Sequence, residues 1–496
     1  RMVSDNVDFF PWLMTPPGTG PTCCSSVLLL PGIMGSSLYE GEDKRWEPGS
    51  EADVERLYLD AAGKSVNQIA ARGVIETFDG PAIFNFDLYE SFLADLEDRK
   101  QNGFLDDYVA YGYDWRLSLP DILGSGDLQD EVRELALGSK SKKVTIVAHS
   151  NGGLLAKALV NALGPEAANL IDQVVLVGVP QIGTPQALGA LLHGYNSGIL
   201  TRYSDARARD FARNAPFAYQ LLPQPDYFDN AGFSVFTPLV RFAEGGATNS
   251  FVEAYGTELS SADGLQKFLR GDEGRSAPEY ADLSNPLLAN SSLLQDSLDV
   301  LSAVGSAWQP PAGVKVHQVA GTGEPTVAGI EYWTDSKCIR DNFFSLPTHC
   351  DRRVDQLTYS PVLVYDGDHT VIEPSALAMS TSSESVSRWW VDLSTYNDSV
   401  IKNNISVLRT NHKDLLEISD VRDLILDNLI GTSTSANYQY VFGAKPELNK
   451  AERLTFTLHS PLSLSYTESD GLVVDSDHPA GRNSEYNRYG EVQMIV

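Results

Sequence analysis

The sequence predicts an α/β fold in which helices cover both faces of a mostly parallel central sheet. Short continuous apolar runs, the pattern of fully buried strands, alternate with segments of helical length and spacing. This alternation favours parallel pairing, because a crossover helix must separate two parallel strands. With 496 residues, 42% of them apolar, the chain is long enough to bury a core of this size.

The individual elements follow in order along the chain. Strands are expected within 26–38, 107–116, 143–150 and 172–180, and helices over 86–100, 127–137 and 152–164. Later strand-like runs lie at 314–321, 361–367 and 404–410, before an amphipathic helix over 413–431.

Composition divides the chain into three parts. Residues 1–26 are rich in Pro and Gly and are interpreted as an N-terminal arm. Residues 27–431 form the predicted α/β domain, and 432–496 a small β-rich C-terminal domain. From about 186 to 312 the alternation breaks down, which indicates a cap or lid inserted over the C-terminal edge of the sheet.

Charge and cysteine content narrow the classes of partner and compartment. The net charge of −29 argues against a nucleic-acid partner, which would require clustered Lys and Arg. No apolar run approaches the ~20 residues that a transmembrane helix needs. Cys338 and Cys350 bracket a loop of a size that a disulfide closes, so we expect a secreted or periplasmic protein.

The stretch "VTIVAHSNGGLLAKALV" (144–160) predicts a strand, a sharp turn at Ser150 and a helix. A nucleophilic serine on such a turn requires small residues two positions before and two after it. Ala148 and Gly152 meet this requirement, with Ala148 where glycine is more usual. Ser150 is therefore the predicted nucleophile, and the alternative is an ordinary strand-to-helix connection.

A catalytic serine needs a histidine base from a later loop. The chain has eight histidines, and elimination by position leaves His369 and His412. His412 follows the apolar run "ISVLR" and precedes a helix, so it is the predicted base. His149, next to the serine, is expected to face away from it as a packed or hydrogen-bonded residue.

The acid that orients the base is expected after a later strand. The segment "VLVYDGDHTV" offers Asp366 and Asp368, between which the residues alone do not decide. The same two aspartates and His369 suggest a metal site as an alternative. Nothing else in the sequence completes a metal site, and we therefore expect no metal or other cofactor.

The loop in "LLLPGIMGSSL" is the predicted oxyanion hole. One donor should be the N–H of the residue after the nucleophile, Asn151, and the other should come from the loop after an early strand. Gly32 lets the backbone approach a substrate, so the N–H of Ile33 is the candidate, with Met34 second. The alternative is an ordinary glycine turn.

Six segments together resemble the lecithin:cholesterol acyltransferase-like family of α/β-hydrolases, which includes lysosomal phospholipase A2 and the phospholipid:diacylglycerol acyltransferases. The resemblance spans roughly residues 27–430, in the family's order. The segments are "LLLPGIMGSSL", "YGYDWR", "VAHSNGG", "VAGTGEPTVAGIEYW", "YDGDHTV" and "RTNHKDLL".

The resemblance implies an α/β-hydrolase fold with a cap and assigns roles to four residues. Asp368 becomes the acid, because it directly follows the motif glycine. Tyr113 and Trp115, in the family's Tyr-Asp-Trp-Arg segment, become substrate-binding residues together with Gly32.

The implied function is transfer or hydrolysis of fatty acyl groups of phospholipids or acylglycerols through an acyl-enzyme, at a membrane or lipid interface. One alternative is a general carboxylesterase or triacylglycerol lipase without phospholipid preference. A different class of alternative is a non-catalytic binding module on a hydrolase fold.

Overall fold

The computed structural model describes residues 25–79, 85–195, 204–229, 238–339, 352–402, 409–430 and 438–447, with five short strands between 453 and 495. Almost all of the predicted N-terminal arm lies outside these residues. The predicted disulfide between Cys338 and Cys350 also lies outside the described side chains.

The strands, in chain order, are β1 (Ser26–Leu30), β2 (Ser36–Glu40), β3 (Asp43–Trp46), β4 (Ile69–Val74), β5 (Thr77–Asp79), β6 (Asn85–Asp87), β7 (Tyr108–Ala110), β8 (Val144–His149), β9 (Ile171–Val177), β10 (Val240–Phe242), β11 (Glu258–Leu259), β12 (Lys315–Thr322), β13 (Thr326–Ile339), β14 (Arg352–Val364), β15 (Val386–Asp392), β16 (Val441–Phe442), β17 (Arg453–Thr457), β18 (Tyr466–Thr467), β19 (Val473–Val474), β20 (Ser484–Tyr486) and β21 (Glu491–Ile495).

The α-helices are α1 (Glu51–Arg56), α2 (Glu90–Gln101), α3 (Leu119–Leu123), α4 (Asp127–Gly138), α5 (Asn151–Leu163), α6 (Ala167–Leu170), α7 (Pro185–His193), α8 (Asp205–Ala212), α9 (Pro216–Gln220), α10 (Pro225–Asp229), α11 (Asn249–Tyr255), α12 (Ala262–Arg270), α13 (Ser291–Ser302), α14 (Glu373–Ala376), α15 (Leu393–Lys402) and α16 (Ser419–Ile430). Short 3₁₀ helices lie at Gly164–Glu166, Gly246–Thr248 and His412–Glu417.

A seven-stranded sheet with the order β16-β15-β12-β9-β8-β1-β7 forms the centre of the molecule. Its neighbouring strands are parallel except at the edge, where β16 is antiparallel to β15. Every residue of β1 and β8 is buried, which explains their uninterrupted apolar sequences. The predicted α/β fold is confirmed, and the predicted strands and helices of the first 180 residues form.

The second half of the sheet differs from the prediction. The strand expected at 361–367 is the end of β14, which pairs antiparallel with β13 in a long hairpin outside the central sheet. The central strand after β12 is instead β15. Its sequence "VSRWWVD" is only partly buried and lacks a continuous apolar run, so the apolar pattern does not predict it. The strand expected at 404–410 lies mostly outside the described residues.

The predicted cap segment contains helices α7 to α13 and the short strands β10 and β11. Strand β10 pairs in parallel with β13, so the cap and the hairpin share a four-stranded sheet, β11-β10-β13-β14. The rings of Phe242, Phe251 and Tyr332 stack within this unit. The cap therefore has its own aromatic core, to which the hairpin contributes.

The predicted C-terminal β domain begins inside the central sheet, since its strand β16 pairs with β15 at Trp390 and Val391. Farther along, β17, β21 and β20 form one small antiparallel sheet, and β18 and β19 form another. Among the described helices, none has the length and apolar character needed to cross a membrane.

Candidate active site

Ser150 lies on a tight turn between the last residue of β8 and the first residue of α5. Its backbone has φ 53° and ψ −130°, a conformation that costs free energy for a residue with a side chain. Gly152 makes the turn feasible, because a Cβ there would lie 2.4 Å from the carbonyl oxygen of Leu30. The small residue expected two positions after the serine is thus required by the close packing of α5 on β1.

The structure brings Ser150, His412 and Asp368 together. Nε2 of His412 lies 2.8 Å from Oγ of Ser150, and Nδ1 lies 2.8 Å from Oδ2 of Asp368. All three side chains are buried. A carboxylate only accepts hydrogen bonds, so Nδ1 carries the proton and Nε2 is left to accept the hydroxyl proton of Ser150.

Asp368 is held rigidly in a loop between β14 and α14. Its Oδ1 accepts hydrogen bonds from the backbone N–H groups of Thr370 (3.0 Å) and Val371 (2.7 Å). Its carbonyl oxygen accepts the N–H of His412 at 2.8 Å. Of the two aspartates that the residues alone left open, Asp368 contacts His412, whereas Asp366 pairs with Lys445 at 2.7 Å.

The residues of the metal alternative have separate partners. Asp366 pairs with Lys445, Asp368 with His412, and Nδ1 of His369 with the carbonyl oxygen of Pro325. Within the part of the chain that the structure describes, no group of three or more His, Cys, Asp or Glu side chains is arranged to hold a metal ion.

The loop after β1 packs directly against the turn at Ser150. A Cβ on Gly32 would lie 2.9 Å from Cβ of Ser150, so only glycine allows this approach. The N–H of Gly32 donates to the hydroxyl of Tyr89 at 3.0 Å, and this leaves Ile33 as the next backbone donor along the loop. Asn151 is the first residue of α5, where helix geometry provides its N–H with no intrahelical partner.

Tyr113 and Trp115 lie behind this loop and not in the pocket, which corrects the expectation that they bind substrate. The hydroxyl of Tyr113 donates to the carbonyl oxygen of Pro31 at 2.8 Å, and Nε1 of Trp115 donates to that of Ser36 at 3.3 Å. Both side chains are buried and neither lines the cavity at Ser150. They support the loop, and Gly32 is the member of the predicted trio that lines the cavity.

A cavity of about 340 Å³ opens onto Ser150 and His412. Ile33 lines it beside the serine, and the cap helices α7, α8 and α9 form its far wall. This wall consists largely of small apolar side chains, namely Ala187, Ala190, Ala208, Ala212 and Ala218. Small side chains leave space for a ligand, and their apolar character favours a hydrocarbon group.

His149 contacts the site, although the sequence predicts that it faces away. It is hydrogen-bonded, as expected, to the hydroxyl of Tyr89 (2.9 Å) and to the carbonyl oxygen of His412 (2.8 Å). Burial lowers the pKa of His149 to about 3, so its ring is neutral at physiological pH. Tyr89 was missed, because no local motif distinguishes it from other tyrosines that precede a helix.

A buried carboxylate, that of Glu324, is hydrogen-bonded next to the loops that carry Asp368 and His412. It pairs with Arg409 through two hydrogen bonds of 2.6 and 3.0 Å and accepts the side-chain amide of Asn397 at 3.0 Å. Its own N–H donates to the carbonyl oxygen of Gly367, next to Asp368. Glu324 lies in the family-like motif "GTGEPT", from which no role for this residue was predicted.

Comparison with known protein families matches residues 74–421 to the family described as lecithin:cholesterol acyltransferase. The match covers more than two thirds of the chain and includes Ser150, Asp368 and His412. The chain belongs to the lecithin:cholesterol acyltransferase family. Membership confirms the predicted resemblance and makes the chain a lipid acyl-ester hydrolase or acyltransferase. Members of this lecithin:cholesterol acyltransferase family are typically extracellular.

Two solved structures that are similar to this chain share little sequence with it. One belongs to "The crystal structure of Tle4-Tli4 complex", with 14% identity and a TM-score of 0.45 over 82% of this chain and 98% of that chain. Another is phospholipase PlaB from Legionella pneumophila, with 10% identity and a TM-score of 0.23 over 57% and 49%. A comparison with curated proteins found no significant match.

Proposed function

We propose that this enzyme cleaves or transfers a fatty acyl group through a triad of Ser150, His412 and Asp368. The observation that carries the proposal is the continuous set of 2.8 Å contacts from Asp368 through His412 to Ser150, at the mouth of an apolar cavity. Serine esterases need this order of hydroxyl, imidazole and carboxylate.

The first half-reaction forms an acyl-enzyme. Oγ of Ser150 attacks the ester carbonyl carbon while Nε2 of His412 takes its proton. The N–H groups of Ile33 and Asn151 stabilise the resulting oxyanion. When the tetrahedral intermediate collapses, His412 returns the proton to the departing alkoxide oxygen, and the acyl group remains on Ser150.

The second half-reaction reverses these roles. Water or an alcohol attacks the acyl-enzyme while His412 accepts its proton, and His412 then protonates Oγ of Ser150 as the acid or new ester leaves. Asp368 keeps the ring of His412 oriented and stabilises its charged form. The acceptor that reaches the acyl-enzyme first decides between hydrolysis and transfer.

The proposed substrate is a phospholipid or acylglycerol with its acyl chain in the alanine-lined cavity. The apolar wall supports an acyl chain, and the net charge of −29 favours a neutral or zwitterionic lipid surface over an anionic one. The family's typical location supports an extracellular enzyme. The second candidate function, a general carboxylesterase or triacylglycerol lipase, rests on the same cavity.

Substitution of Ser150 tests the nucleophile. We expect Ser150→Ala to lower kcat on a p-nitrophenyl ester by roughly 10⁶-fold, the scale at which loss of a serine nucleophile acts. A fluorophosphonate should label Ser150 of the wild type at one equivalent, as read by peptide mass spectrometry. Ser297→Ala, at a buried serine of α13 that does not line the cavity, should keep full activity.

Labelling of a different residue would overturn the triad, and absence of labelling would favour the non-catalytic alternative. The substrate class is tested with vesicles of phosphatidylcholine, phosphatidylglycerol or triacylglycerol, with and without a lipophilic alcohol. Release of fatty acid from phosphatidylcholine supports the proposal, and a new ester in the presence of the alcohol identifies a transferase. Activity on triacylglycerol and on soluble p-nitrophenyl esters with no preference for phospholipid would favour the second candidate.

A further inference from the structure

The hydroxyl of Tyr89 occupies the point where the loop after β1 meets the turn at Ser150. It lies 3.0 Å from the backbone nitrogen of Gly32 and 2.9 Å from Nδ1 of His149. On the other side of the ring, Nε2 of His149 lies 2.8 Å from the carbonyl oxygen of His412. Three buried contacts therefore join the oxyanion loop to the backbone of the proposed base.

Four groups take part in these contacts: the N–H of Gly32, the hydroxyl of Tyr89, the ring of His149 and the carbonyl of His412. Their chemistry determines the direction of each hydrogen bond. The carbonyl oxygen of His412 can only accept, so Nε2 of His149 carries a proton and donates it. The ring of His149 is neutral, so Nδ1 has no proton and accepts the hydroxyl proton of Tyr89. The oxygen of Tyr89 then accepts the N–H of Gly32, and every donor has one acceptor.

Packing leaves little freedom for these groups to rearrange. Tyr89 and His149 are 2% and 4% exposed, and the ring of His149 meets that of Tyr89 edge-on and lies 5.0 Å from that of His412. A Cβ on Gly32 would lie 3.3 Å from Nδ1 of His149, and one on Gly35 would lie 3.2 Å from the Tyr89 hydroxyl. Both glycines of the loop therefore lie close to this pair of side chains.

We propose that Tyr89 and His149 are positioning residues that couple the oxyanion loop to the base. This inference rests on the proposed function. Tyr89 fixes the peptide group of Gly32, and this aims the next N–H, that of Ile33, at the oxyanion. His149 fixes the carbonyl group of His412, whose N–H is already bonded to Asp368, so the backbone of the base is held at both of its polar groups.

The coupling matters most in the transition state, because the oxyanion donors and the imidazole must both be in place at that moment. Tyr89 and His149 also line the apolar cavity that binds substrate, but the hydroxyl of Tyr89 is engaged with Gly32 and His149, and its removal leaves the apolar surface of the ring in place. Loss of the Tyr89 hydroxyl should therefore lower kcat and leave KM nearly unchanged. A purely structural role predicts lower stability with normal kcat for the folded fraction.

Tyr89→Phe removes the shared hydroxyl and keeps the ring. We expect kcat on a p-nitrophenyl ester, per site titrated with fluorophosphonate, to fall roughly 10- to 100-fold with little change in KM. Tyr227→Phe is the matched control, because Tyr227 is equally buried and its hydroxyl has no hydrogen-bond partner among the described residues. Its kcat should equal that of the wild type.

Two substitutions of His149 separate positioning from packing. His149→Gln retains an amide donor near the place of Nε2 but loses the acceptor of the Tyr89 hydroxyl proton, so it should lose less kcat than His149→Leu, which should lose as much as Tyr89→Phe. Equal kcat in Tyr89→Phe and the wild type, equal losses in both His149 variants, or a rise in KM alone would overturn the coupling. Failure of Ser150 to label in the wild type would instead overturn the proposed function.

Discussion

Gly32 packs the loop after β1 directly against Ser150, and the addition of a single methyl group at this residue tests that contact. A Cβ at this position would lie 2.9 Å from Cβ of Ser150, too close for either group to stay in place. We expect Gly32→Ala to displace the loop with its oxyanion donor and to lower kcat about 100-fold, the scale of a lost donor. The measurement is kcat on a soluble ester per titrated site.

Gly138→Ala is the control for this substitution. Gly138 ends α4, and a Cβ there would have no neighbour within 4 Å. Alanine in place of glycine in a helix stabilises a protein by up to about 1 kcal/mol, so activity should be unchanged and the melting temperature equal or higher. A normal kcat in Gly32→Ala would contradict the prediction, because it would show that the loop can move away from Ser150 without loss of activity.

At the scale of elements, the segment 438–447 contributes more than an edge strand. After β16 it carries Lys445, whose Nζ lies 2.7 Å from Asp366 and 2.9 Å from Glu373. Glu373 is 2% exposed, and its N–H donates to the carbonyl oxygen of Asp366, two residues before Asp368. The C-terminal segment thereby stabilises the loop that holds the proposed acid.

Lys445→Met should leave the carboxylate of Glu373 buried without its cationic partner. We expect the free energy of unfolding to fall by about 2 kcal/mol, less than for a fully buried pair because Lys445 is half-exposed. Denaturant unfolding measures the loss, and kcat should fall with it as the loop loosens.

The double variant Lys445→Met/Glu373→Gln should recover most of this stability, since the amide removes the unpaired charge. Lys64→Met is the control, because Lys64 and its partner Asp121 form an exposed pair outside the site. A double variant that is no more stable than Lys445→Met would contradict the explanation by charge.

At the scale of the whole molecule, buried neutral histidines tie stability to pH. Burial lowers the pKa of His193 to about 3 and that of His317 to about 4. Between about pH 6.5 and 4 the unfolded chain therefore binds protons that the folded chain does not, and these groups make the free energy of unfolding fall as the pH falls. Asp414 acts in the opposite sense, since burial raises its pKa to about 7.

His317→Gln isolates one of these contributions. His317 lies in β12, bonded to Ser387 and Gln173 away from the cavity, and glutamine preserves a donor and an acceptor. The free energy of unfolding is measured in urea between about pH 6.5 and 4.5. Its decrease with falling pH should be less steep in the variant than in the wild type, and the two slopes should differ by up to about 1.4 kcal/mol per pH unit. Identical slopes would mean that His317 is protonated in the folded state.

The sequence by itself determined the features that depend on neighbours in the chain. Apolar runs predict the strands of the first half, because a strand buried on both faces requires them, and the turn at Ser150 requires a small residue at 152. The same reasoning predicts a strand at 361–367 but does not show that it pairs in the hairpin and not in the central sheet. An apolar pattern indicates how deeply a strand is buried, but it does not indicate which other strand pairs with it.

Only the tertiary structure decided which distant groups meet. The residues alone did not decide whether Asp366 or Asp368 is the acid. In the folded chain Asp368 contacts His412, whereas Asp366 contacts Lys445. Packing also placed Tyr89 against His149, 60 residues away along the chain. A hydrogen bond requires its donor and acceptor to be placed to within a few tenths of an ångström. The packing of sheet, cap and loops determines that placement, and local sequence does not.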